Sequence, residues 1–283
     1  MNENSKIPAT VRILTLQAAK TLRRCLESVK DFEDILIFDG NSTDDTVKIA
    51  QEYGARIEKQ YPERSDPNIL IGDWSEVVNR VVKAAKYDWV FYVDADETAS
   101  PGLVQEIREI VSSPDIKNFV YLVPNRIIYK GRVIKHAISY PGYQPRFFNR
   151  KSGAVYEDSP HYTLVYDKKK YSSTTLKNPW YVYVDSDDAS LKRHFVKLTA
   201  MKDKEQTWWQ FVRWSVFNKL FGILKIAVRA AIMYARYGFK DSMPPKFVFA
   251  KMGEKGLLFL YLMKQRFIGP LRPDTAPPKQ YLK

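Results

Sequence analysis

The sequence predicts an α/β fold, with a mainly parallel β-sheet that has helices on both faces, followed by a helical, basic, amphipathic extension. Over about the first hundred residues, short β-branched and aromatic runs alternate with helix-period segments, as in consecutive βαβ units. From Asp188 to about Ile268 the pattern is helical, with breaks at Gly238 and Pro244-Pro245. A chain of 283 residues, 45% of them hydrophobic, is long enough to bury a substantial core.

The alternating part predicts four strands and four helices. The strands are Val11–Leu16, Ile35–Asp39, Ala55–Gln60 and Trp89–Asp94. The helices are Thr21–Val29, Thr43–Tyr53, Trp74–Lys86 and a segment from Pro101 to about Val111. Ser42 is predicted to cap the second helix, and Ser100 followed by Pro101 marks the start of the fourth.

Shorter strands are expected after the fourth helix, with a hairpin turn at Lys130-Gly131. These strands are Phe119–Pro124, Arg126–Tyr129, Val133–His136, Arg146–Asn149, a segment near Tyr162–Tyr166 and another near Trp180–Asp185.

The net charge of +13 arises entirely in the C-terminal third. Residues 1–190 contain 26 Lys and Arg against 27 Asp and Glu, whereas residues 191–283 contain 19 against 5. Basic residues there are interleaved with large apolar ones, and no uncharged apolar run is long enough to span a bilayer. We expect this tail to lie on an anionic membrane surface. The alternatives are packing on the preceding domain, or on a second subunit to form a homo-oligomer.

Cys25 is the only cysteine, so no intrachain disulfide is possible. The first ten residues are polar and contain no apolar stretch typical of a secretion signal. We therefore expect a reducing, cytoplasmic setting, with the protein peripheral at the cytoplasmic face of the membrane. Cys25 shares a helical pattern with Leu22, Leu26 and Val29, which favours core packing over a nucleophilic role.

The strand predicted at Trp89–Asp94 ends in three carboxylates, those of Asp94, Asp96 and Glu97. The carboxyl ends of parallel strands open into the crevice where such folds bind ligands. Neighbouring carboxylates repel one another, and a divalent cation shared between them relieves that repulsion. Mg²⁺ is usually held by one or two carboxylates together with substrate phosphates. The alternative is a solvated acidic turn.

A second strand, Ile35–Asp39, also ends in a carboxylate and is followed by Gly40 and the start of a helix. Glycine permits the tight turn, and Asp39 can accept hydrogen bonds from a base or from ribose hydroxyls. The alternative is an ordinary strand-to-helix turn, which any α/β protein can contain.

In this order and spacing, these segments resemble family 2 glycosyltransferases of the GT-A fold, in particular the branch that extends lipopolysaccharide cores and related cell-surface glycans. The resemblance covers nearly the whole chain. The matching segments are Arg12–Leu16, Leu22–Val29, Asp39–Thr46, the helix that carries Asn79, Trp89–Glu97 and Gln144–Arg150. The resemblance implies a GT-A domain over residues 1–186, with a nucleotide-binding half (1–113) and an acceptor-side half (114–186), followed by the tail (187–283).

The resemblance implies an inverting, metal-dependent transferase that moves a hexosyl or N-acetylhexosaminyl group. Its donor would be a nucleoside diphosphate sugar, a UDP sugar first, and its acceptor a glycan or a lipid-linked glycan. A polyprenyl phosphate acceptor is the alternative among enzymes. A nucleic-acid-binding protein that uses the basic, aromatic tail is the alternative from another class. That alternative leaves both carboxylate-ended strands without a role, so no nucleic acid is expected as a partner.

The resemblance also implies roles for individual residues. The expected donor contacts are Thr15, Leu16, Asp39, Asn79, Asp94, Ala95 and Arg146, and the expected ligands of Mg²⁺ or Mn²⁺ are Asp96, Asp94 and His161. Arg146 can instead form a salt bridge with an acidic turn. His161 can instead be a surface or structural residue.

The catalytic base is expected at Asp158 or, second, at Glu157. Both positions follow from departures of this chain from the family pattern. The usual Thr-Leu-Asn-Glu is here Thr15-Leu16-Gln17-Ala18, and the usual Val-His-Glu is here Pro160-His161-Tyr162. Both replacements remove an expected acid, which leaves Glu157-Asp158 to supply a carboxylate.

Overall fold

The computed structural model describes residues 5–69, 71–140, 142–157, 163–184, 209, 213 and 217–268. They belong to two compact units. The first contains the described residues up to Ile127 and those from 142 to Tyr183, and the second contains Ile128–Tyr140 and the described residues from Val184 onward. The domain boundary after residue 186 stays a prediction.

The strands, in chain order, are β1 (Ile7–Thr15), β2 (Phe32–Asp39), β3 (Arg56–Lys59), β4 (Trp89–Tyr92), β5 (Glu97–Ala99), β6 (Val120–Tyr129), β7 (Arg132–Val133), β8 (Tyr143–Asn149), β9 (Val155–Glu157), β10 (Thr163–Val165), β11 (Ser173–Thr175) and β12 (Trp180–Val184). The α-helices are α1 (Ala19–Val29), α2 (Thr46–Glu52), α3 (Trp74–Ala84), α4 (Pro101–Ser112), α5 (Asn218–Tyr237) and α6 (Pro245–Ile268).

The main sheet has the strand order β3-β2-β1-β4-β8-β6-β12-β5, and β11 adds to β6. Strands β1 to β4 run parallel to one another, whereas β8 is antiparallel to both β4 and β6. Strands β9 and β10 form a separate antiparallel pair. The parallel half confirms the predicted α/β fold, because each of its strands is connected to the next through a helix.

Both faces of the parallel half are buried beneath helices. On one face, Ile37 of β2 belongs to the same core cluster as Leu22 of α1. On the other face, Phe38 of β2 packs with Val77 and Val81 of α3. Each such side chain contributes roughly 1.5–3 kcal/mol when it is fully buried. Strand β2 therefore serves two cores, as the predicted arrangement of helices on both faces requires.

The starts of two helices show one correct and one wrong prediction. Ser100 caps α4 as predicted, since its Oγ accepts a hydrogen bond from the Leu103 amide at 3.1 Å. Helix α2 begins at Thr46, and Ser42 is not its cap. The Ser42 hydroxyl instead donates to Asp39 Oδ1 at 2.7 Å. Serine side chains bond readily to nearby groups outside a helix, which explains the difference.

Strand β6 joins two segments that were predicted as separate strands on either side of Asn125. Lys130 and Gly131 follow it with φ angles of 49° and 72°, which is the left-handed geometry of a tight hairpin turn. The predicted turn is therefore confirmed, although β7 is shorter than the strand expected at Val133–His136.

The second unit is dominated by α5 and α6, which pack together as a helical hairpin. Gly238, with φ 69°, ends α5, and the Tyr234 hydroxyl donates to the Met243 carbonyl at 2.7 Å across the connection. The predicted breaks at Gly238 and at Pro244-Pro245 are thus confirmed. The first part of the helical pattern predicted from Asp188 to about Ile268 lies almost entirely outside the described residues, which resume as a continuous segment at residue 217. In the described part of the chain, every helix is too short or too polar to cross a membrane.

Candidate functional site

The ends of four neighbouring strands meet at one edge of the sheet. Thr15 of β1 pairs in register with Asp39 of β2, and β1 also runs parallel to β4, whose last residue precedes the acidic turn. Strand β8 is antiparallel to β4, with Phe147 opposite Phe91, so the start of β8 reaches the same edge. Asp39, Thr15, Asp94 and the first residues of β8 therefore follow one another along this edge.

Asp39 is a buried carboxylate with a fixed orientation. Its Oδ1 accepts hydrogen bonds from Thr15 Oγ1 and Ser42 Oγ, both at 2.7 Å, and its Oδ2 accepts one from the Ser42 amide at 2.7 Å. A carboxylate has about four acceptor positions, so Oδ2 can accept a further bond. Thr15, expected at the same subsite, thus orients Asp39 through its hydroxyl.

Gln17 connects the end of β1 to the turn before α2. Its backbone has φ 51°, and its Oε1 accepts hydrogen bonds from the amides of Thr43 at 2.7 Å and Asp44 at 3.2 Å. The backbone amide of Gln17 donates to Ser42 Oγ at 2.9 Å. Gln17 stands where the family pattern has asparagine. Its hydrogen bonds fix the turn that follows Asp39. This role depends on contacts with the turn before α2. The sequence alone does not show that Gln17 and this turn are neighbours.

The acids that follow β4 lie in different environments. Asp94 is partly exposed, and its Oδ1 accepts a hydrogen bond from the Tyr92 hydroxyl at 2.6 Å. Asp96 is exposed. Desolvation of its carboxyl group, followed by the negative charge of Asp94, raises the pKa of Asp96. The charge of Asp94 thus disfavours ionisation of the Asp96 carboxyl group, and a cation bound beside both would relieve that repulsion.

Glu97 is buried and paired with Arg146. It accepts hydrogen bonds from both terminal nitrogens of Arg146, from Trp180 Nε1 at 3.0 Å and from the Asp94 amide at 3.1 Å. Burial, and then the charge of Asp94, raises the pKa of Glu97 to about 7. The Arg146 guanidinium lies between two rings, 4.4 Å from the centroid of Tyr92 and 4.1 Å from that of Trp180. The sequence did not single out Trp180, because it lies far along the chain from the acids.

Two alternatives were predicted for Arg146, a contact with the donor and a salt bridge with an acidic turn. The structure shows the salt bridge. Its guanidinium is engaged by Glu97 and lies 3.7 Å from Asp94 Oδ2. Because the nitrogens that would bind a diphosphate already face Glu97, the predicted donor contact of Arg146 is not supported. The guanidinium instead places a positive charge beside the side chain of Asp94.

Asn79 forms contacts that were not predicted. Its Nδ2 donates to the Tyr156 carbonyl and its Oδ1 accepts from the Tyr156 amide, both at 2.8 Å. The side-chain amide therefore replaces a strand partner for β9 and attaches that strand to α3. Both polar ends of Asn79 thus bond to the backbone of β9, and its contact with the donor stays a prediction.

The remaining predicted residues fall into three groups. Leu16 follows the end of β1, and Ala95 is buried in the turn between the two aspartates. Glu157 is exposed at the end of β9, opposite Thr163 of β10. Asp158 and His161 lie outside the described residues.

A cavity of about 370 Å³ opens beside Asp94. Its lining residues are Trp74, Tyr92, Asp94, Gln144, Pro145, Arg146 and Tyr156. The ring of Trp74 meets those of Tyr92 and Tyr156 edge to face, with centroid distances of 6.4 and 6.0 Å. We call these three rings the aromatic wall. A concave site with aromatic walls and a few polar groups is typical of small-molecule binding.

The donor set for a metal ion at this edge is limited. Within the described ranges, no group of three or more His, Cys, Asp or Glu residues is arranged to hold a metal. Asp94 and Asp96 supply two carboxylates, and among the described residues the cation nearest to Asp94 Oδ2 is Arg146, at 3.7 Å. Two carboxylates fit a Mg²⁺-type ion that takes its other ligands from water and substrate phosphates.

Comparison with known sequences identifies several glycosyltransferases as relatives. An uncharacterized glycosyltransferase of Rickettsia bellii (strain RML369-C) is 26% identical over 298 residues, which cover 96% of this chain and 90% of the relative. The SPbeta prophage-derived glycosyltransferase SunS of Bacillus subtilis (strain 168) is 33% identical over 100 residues, which cover 35% of this chain. The chain spans only 22% of SunS and 52% of the uncharacterized glycosyltransferase RP128 of Rickettsia prowazekii.

A solved structure has a similar fold. Staphylococcus aureus TarS 1-349, in complex with UDP-GlcNAc, superposes with a TM-score of 0.50 at 14% identity, covering 94% of this chain and 93% of TarS 1-349. At that identity the likeness concerns the fold, and it agrees with the GT-A architecture. Residues 10–169 match Glycosyl transferase family 2. This match covers more than half of the sequence, and the chain therefore belongs to glycosyl transferase family 2.

Proposed function

We propose that the protein is an inverting, metal-dependent glycosyltransferase that uses a nucleoside diphosphate sugar and a glycan or lipid-linked glycan acceptor. The order of groups along the sheet edge carries this proposal. Asp39 and Thr15 come first, then Asp94 and Asp96, then the cavity with the aromatic wall. That order suits a donor whose nucleoside lies over Asp39, whose diphosphate reaches Asp96 and whose sugar faces the cavity.

Mg²⁺ or Mn²⁺ would be held by Asp96 and Asp94 together with phosphate oxygens, with His161 proposed as a further ligand. Bound there, the cation supplies Lewis-acid stabilisation of the charge on the leaving diphosphate. The chain prepares Asp94 for this role in two ways. The Tyr92 hydroxyl donates to Oδ1 of Asp94 and fixes that oxygen, and the Arg146 guanidinium lies 3.7 Å from Oδ2.

The acceptor hydroxyl needs a positioned base, a contribution typically worth about 10²–10⁴ in rate. Side chains alternate along a strand, and in β9 Tyr156 is buried and lines the cavity while Glu157 is exposed. Glu157 therefore faces away from the side of Tyr156. Glu157 is therefore the weaker candidate, and Asp158 stays the first proposal for the base. Direct attack by the activated hydroxyl inverts the anomeric carbon.

Donor binding tests this proposal directly. We expect a UDP sugar with Mn²⁺ to raise the Tm of the protein by roughly 5 °C at about 100 times its Kd, because the ligand binds only the folded state. UDP sugars are the first to test, since TarS was solved with UDP-GlcNAc. GDP, CDP, ADP and TDP sugars complete the screen, each with Mn²⁺, Mg²⁺ or EDTA. Absence of metal-dependent protection by every donor would contradict the proposal.

We also propose that the protein acts in cell-surface polysaccharide or lipopolysaccharide synthesis, at the cytoplasmic face of the membrane. Helix α5 supports the membrane association, because it exposes a continuous apolar stripe. The stripe consists of Phe217, Phe221, Leu224, Val228 and Ile232, spaced at intervals of three or four residues. Exposed basic residues lie along one flank of this stripe, at Lys225, Arg229 and Arg236. An apolar stripe bordered by basic residues suits the headgroup region of an anionic membrane.

Replacing Leu224 and Val228 together by glutamate is expected to reduce binding to anionic phosphatidylserine vesicles roughly tenfold or more. Each change removes a buried apolar contact with lipid and adds a like charge. Vesicle pelleting measures the effect. Ile116→Glu, at an exposed isoleucine of the first unit, is the matched control and should pellet like the wild type. Unchanged pelleting of the double variant contradicts the proposal, and a change from dimer to monomer would instead indicate a subunit interface.

The acceptor class separates the remaining alternatives. A polyprenyl phosphate acceptor would use the same donor site, so we propose to offer lipid phosphate and lipid-linked glycan in parallel to the protein with its preferred donor. Transfer to the lipid-linked glycan alone supports the glycan-extending function, whereas transfer to polyprenyl phosphate alone supports the alternative.

A further inference from the structure

Arg12 is a buried cation whose hydrogen-bond donors are all unused. The residue is completely buried, and none of its three guanidinium nitrogens has a hydrogen-bond partner in the part of the chain that the structure describes. A guanidinium carries five N–H donors, and burying a charge without a partner is costly. A buried charge in the middle of β1 is expected to have a group nearby that compensates it.

The aromatic wall of the cavity surrounds this cation. The Arg12 guanidinium carbon lies 3.8 Å from the ring centroid of Tyr92, 5.1 Å from that of Tyr156 and 5.6 Å from that of Trp74. Ring faces attract a cation and offset part of the cost of burial, but they provide no acceptor for its N–H groups. A positive charge that has no hydrogen-bonded counter-charge among the described residues therefore lies against the three rings of the wall.

Tyr156 adds a second unused donor at the same place. Its hydroxyl is buried and has no hydrogen-bond partner among the described residues, although Tyr156 lines the cavity. The other polar groups of the cavity differ in this respect. The Tyr92 hydroxyl is bound to Asp94, and Arg146 is paired with Glu97. Among the described residues, the buried groups without a hydrogen-bond partner at or behind this cavity are thus the Arg12 guanidinium and the Tyr156 hydroxyl, and both suit an oxyanion.

We propose that the acceptor bound in this cavity carries an oxyanion, either a phosphate or a carboxylate, which lies against the wall near Tyr156. This inference rests on the proposed function, since the cavity is the acceptor site only if the donor diphosphate lies at Asp96. The Tyr156 hydroxyl donates to the oxyanion, while Arg12 acts through the rings as a fixed positive charge. Arg12 is therefore a positioning residue and not a catalytic one. A neutral acceptor would gain nothing from the Arg12 charge.

Binding of matched pyranoses tests this proposal. The probes are glucose 6-phosphate, glucuronate and glucose, titrated at fixed ionic strength with UDP and Mn²⁺ saturating, so that the diphosphate subsite is filled. We expect at least one charged probe to bind the wild type about tenfold more tightly than glucose. Preference for phosphate over carboxylate, or the reverse, identifies the oxyanion, and either result supports the proposal.

Three variants separate charge from structure. Arg12→Met should remove the preference for the charged probe, whereas Arg12→Lys should retain most of it because the positive charge remains. Tyr156→Phe keeps the ring and loses only the unpaired hydroxyl. It should weaken the charged probe about threefold, leave glucose binding unchanged and leave the ligand-free Tm unchanged or higher. If Arg12→Met does not fold, Tyr156→Phe decides the question alone.

Equal affinity of the wild type for all three pyranoses overturns the inference, as does a preference that survives both Arg12→Met and Tyr156→Phe. Protection by UDP and Mn²⁺ is measured in the same samples. Intact protection without a preference for the charged probe overturns only the anionic acceptor. Absence of that protection overturns the proposed function itself.

Discussion

Replacing Asp96 by alanine is expected to abolish metal-dependent donor binding and to lower turnover by at least about 10³-fold, because a metal ligand stabilises the leaving group by several kcal/mol. The fold should be retained, since Asp96 is exposed in the turn after β4. Its raised pKa means that the ionised carboxylate is disfavoured in the folded protein beside Asp94. The ligand-free Tm of Asp96→Ala should therefore equal or exceed that of the wild type.

The measurements for Asp96→Ala are the Mn²⁺-dependent rise in Tm with the preferred donor, and the rate of sugar transfer. Asp115→Ala is the matched control, because Asp115 is another exposed aspartate, in the loop after α4. This control should keep both the rise in Tm and the rate. A folded Asp96→Ala protein that still transfers sugar at a rate near that of the wild type would contradict the assignment of Asp96 to the metal.

The sheet edge was predictable because its signals are local. Parallel strands bring their carboxyl ends to one edge whatever their sequence, so Asp39 and Asp94 could be placed there from two short segments. Capping of α4 by Ser100 was predictable for the same reason. The prediction for Ser42 was wrong because its hydroxyl has two possible partners nearby, the start of α2 and the Asp39 carboxylate. The hydroxyl binds the carboxylate.

The contacts between distant segments were not predictable. Arg146 meets Glu97 because β8 lies antiparallel to β4 in one register, and a shift of one residue would turn Arg146 to the other face of the sheet. The sequence predicts Asn79 as a donor contact, because no residue near it in the chain indicates that it bonds to the backbone of Tyr156. The aromatic wall has the same origin, since its rings come from α3, β4 and β9.

Replacing Arg146 by methionine is expected to lower the free energy of unfolding by about 3–5 kcal/mol at pH 8, because Glu97 would remain buried without its cation. The pKa of Glu97, about 7 with Arg146 present, should rise further in the variant. A carboxyl group whose folded pKa is raised loses stability progressively as the pH rises from its unfolded to its folded pKa, so the wild type stops losing stability near pH 7 whereas the variant, with its higher folded pKa, continues to lose it above pH 7. The loss of stability should therefore shrink as the pH falls from 8 to 6 and Glu97 binds a proton.

Chemical denaturation at pH 8 and pH 6 measures this effect, and a double variant separates its causes. Adding Glu97→Gln to Arg146→Met removes the buried charge while keeping an acceptor for Trp180 Nε1, and should restore most of the stability. Arg23→Met is the matched control: its 2.7 Å ion pair with Glu52 is exposed, so its stability should change little at either pH. If Arg146→Met loses the same stability at both pH values, or the double variant is no more stable than the single one, the uncompensated Glu97 charge is not the cause.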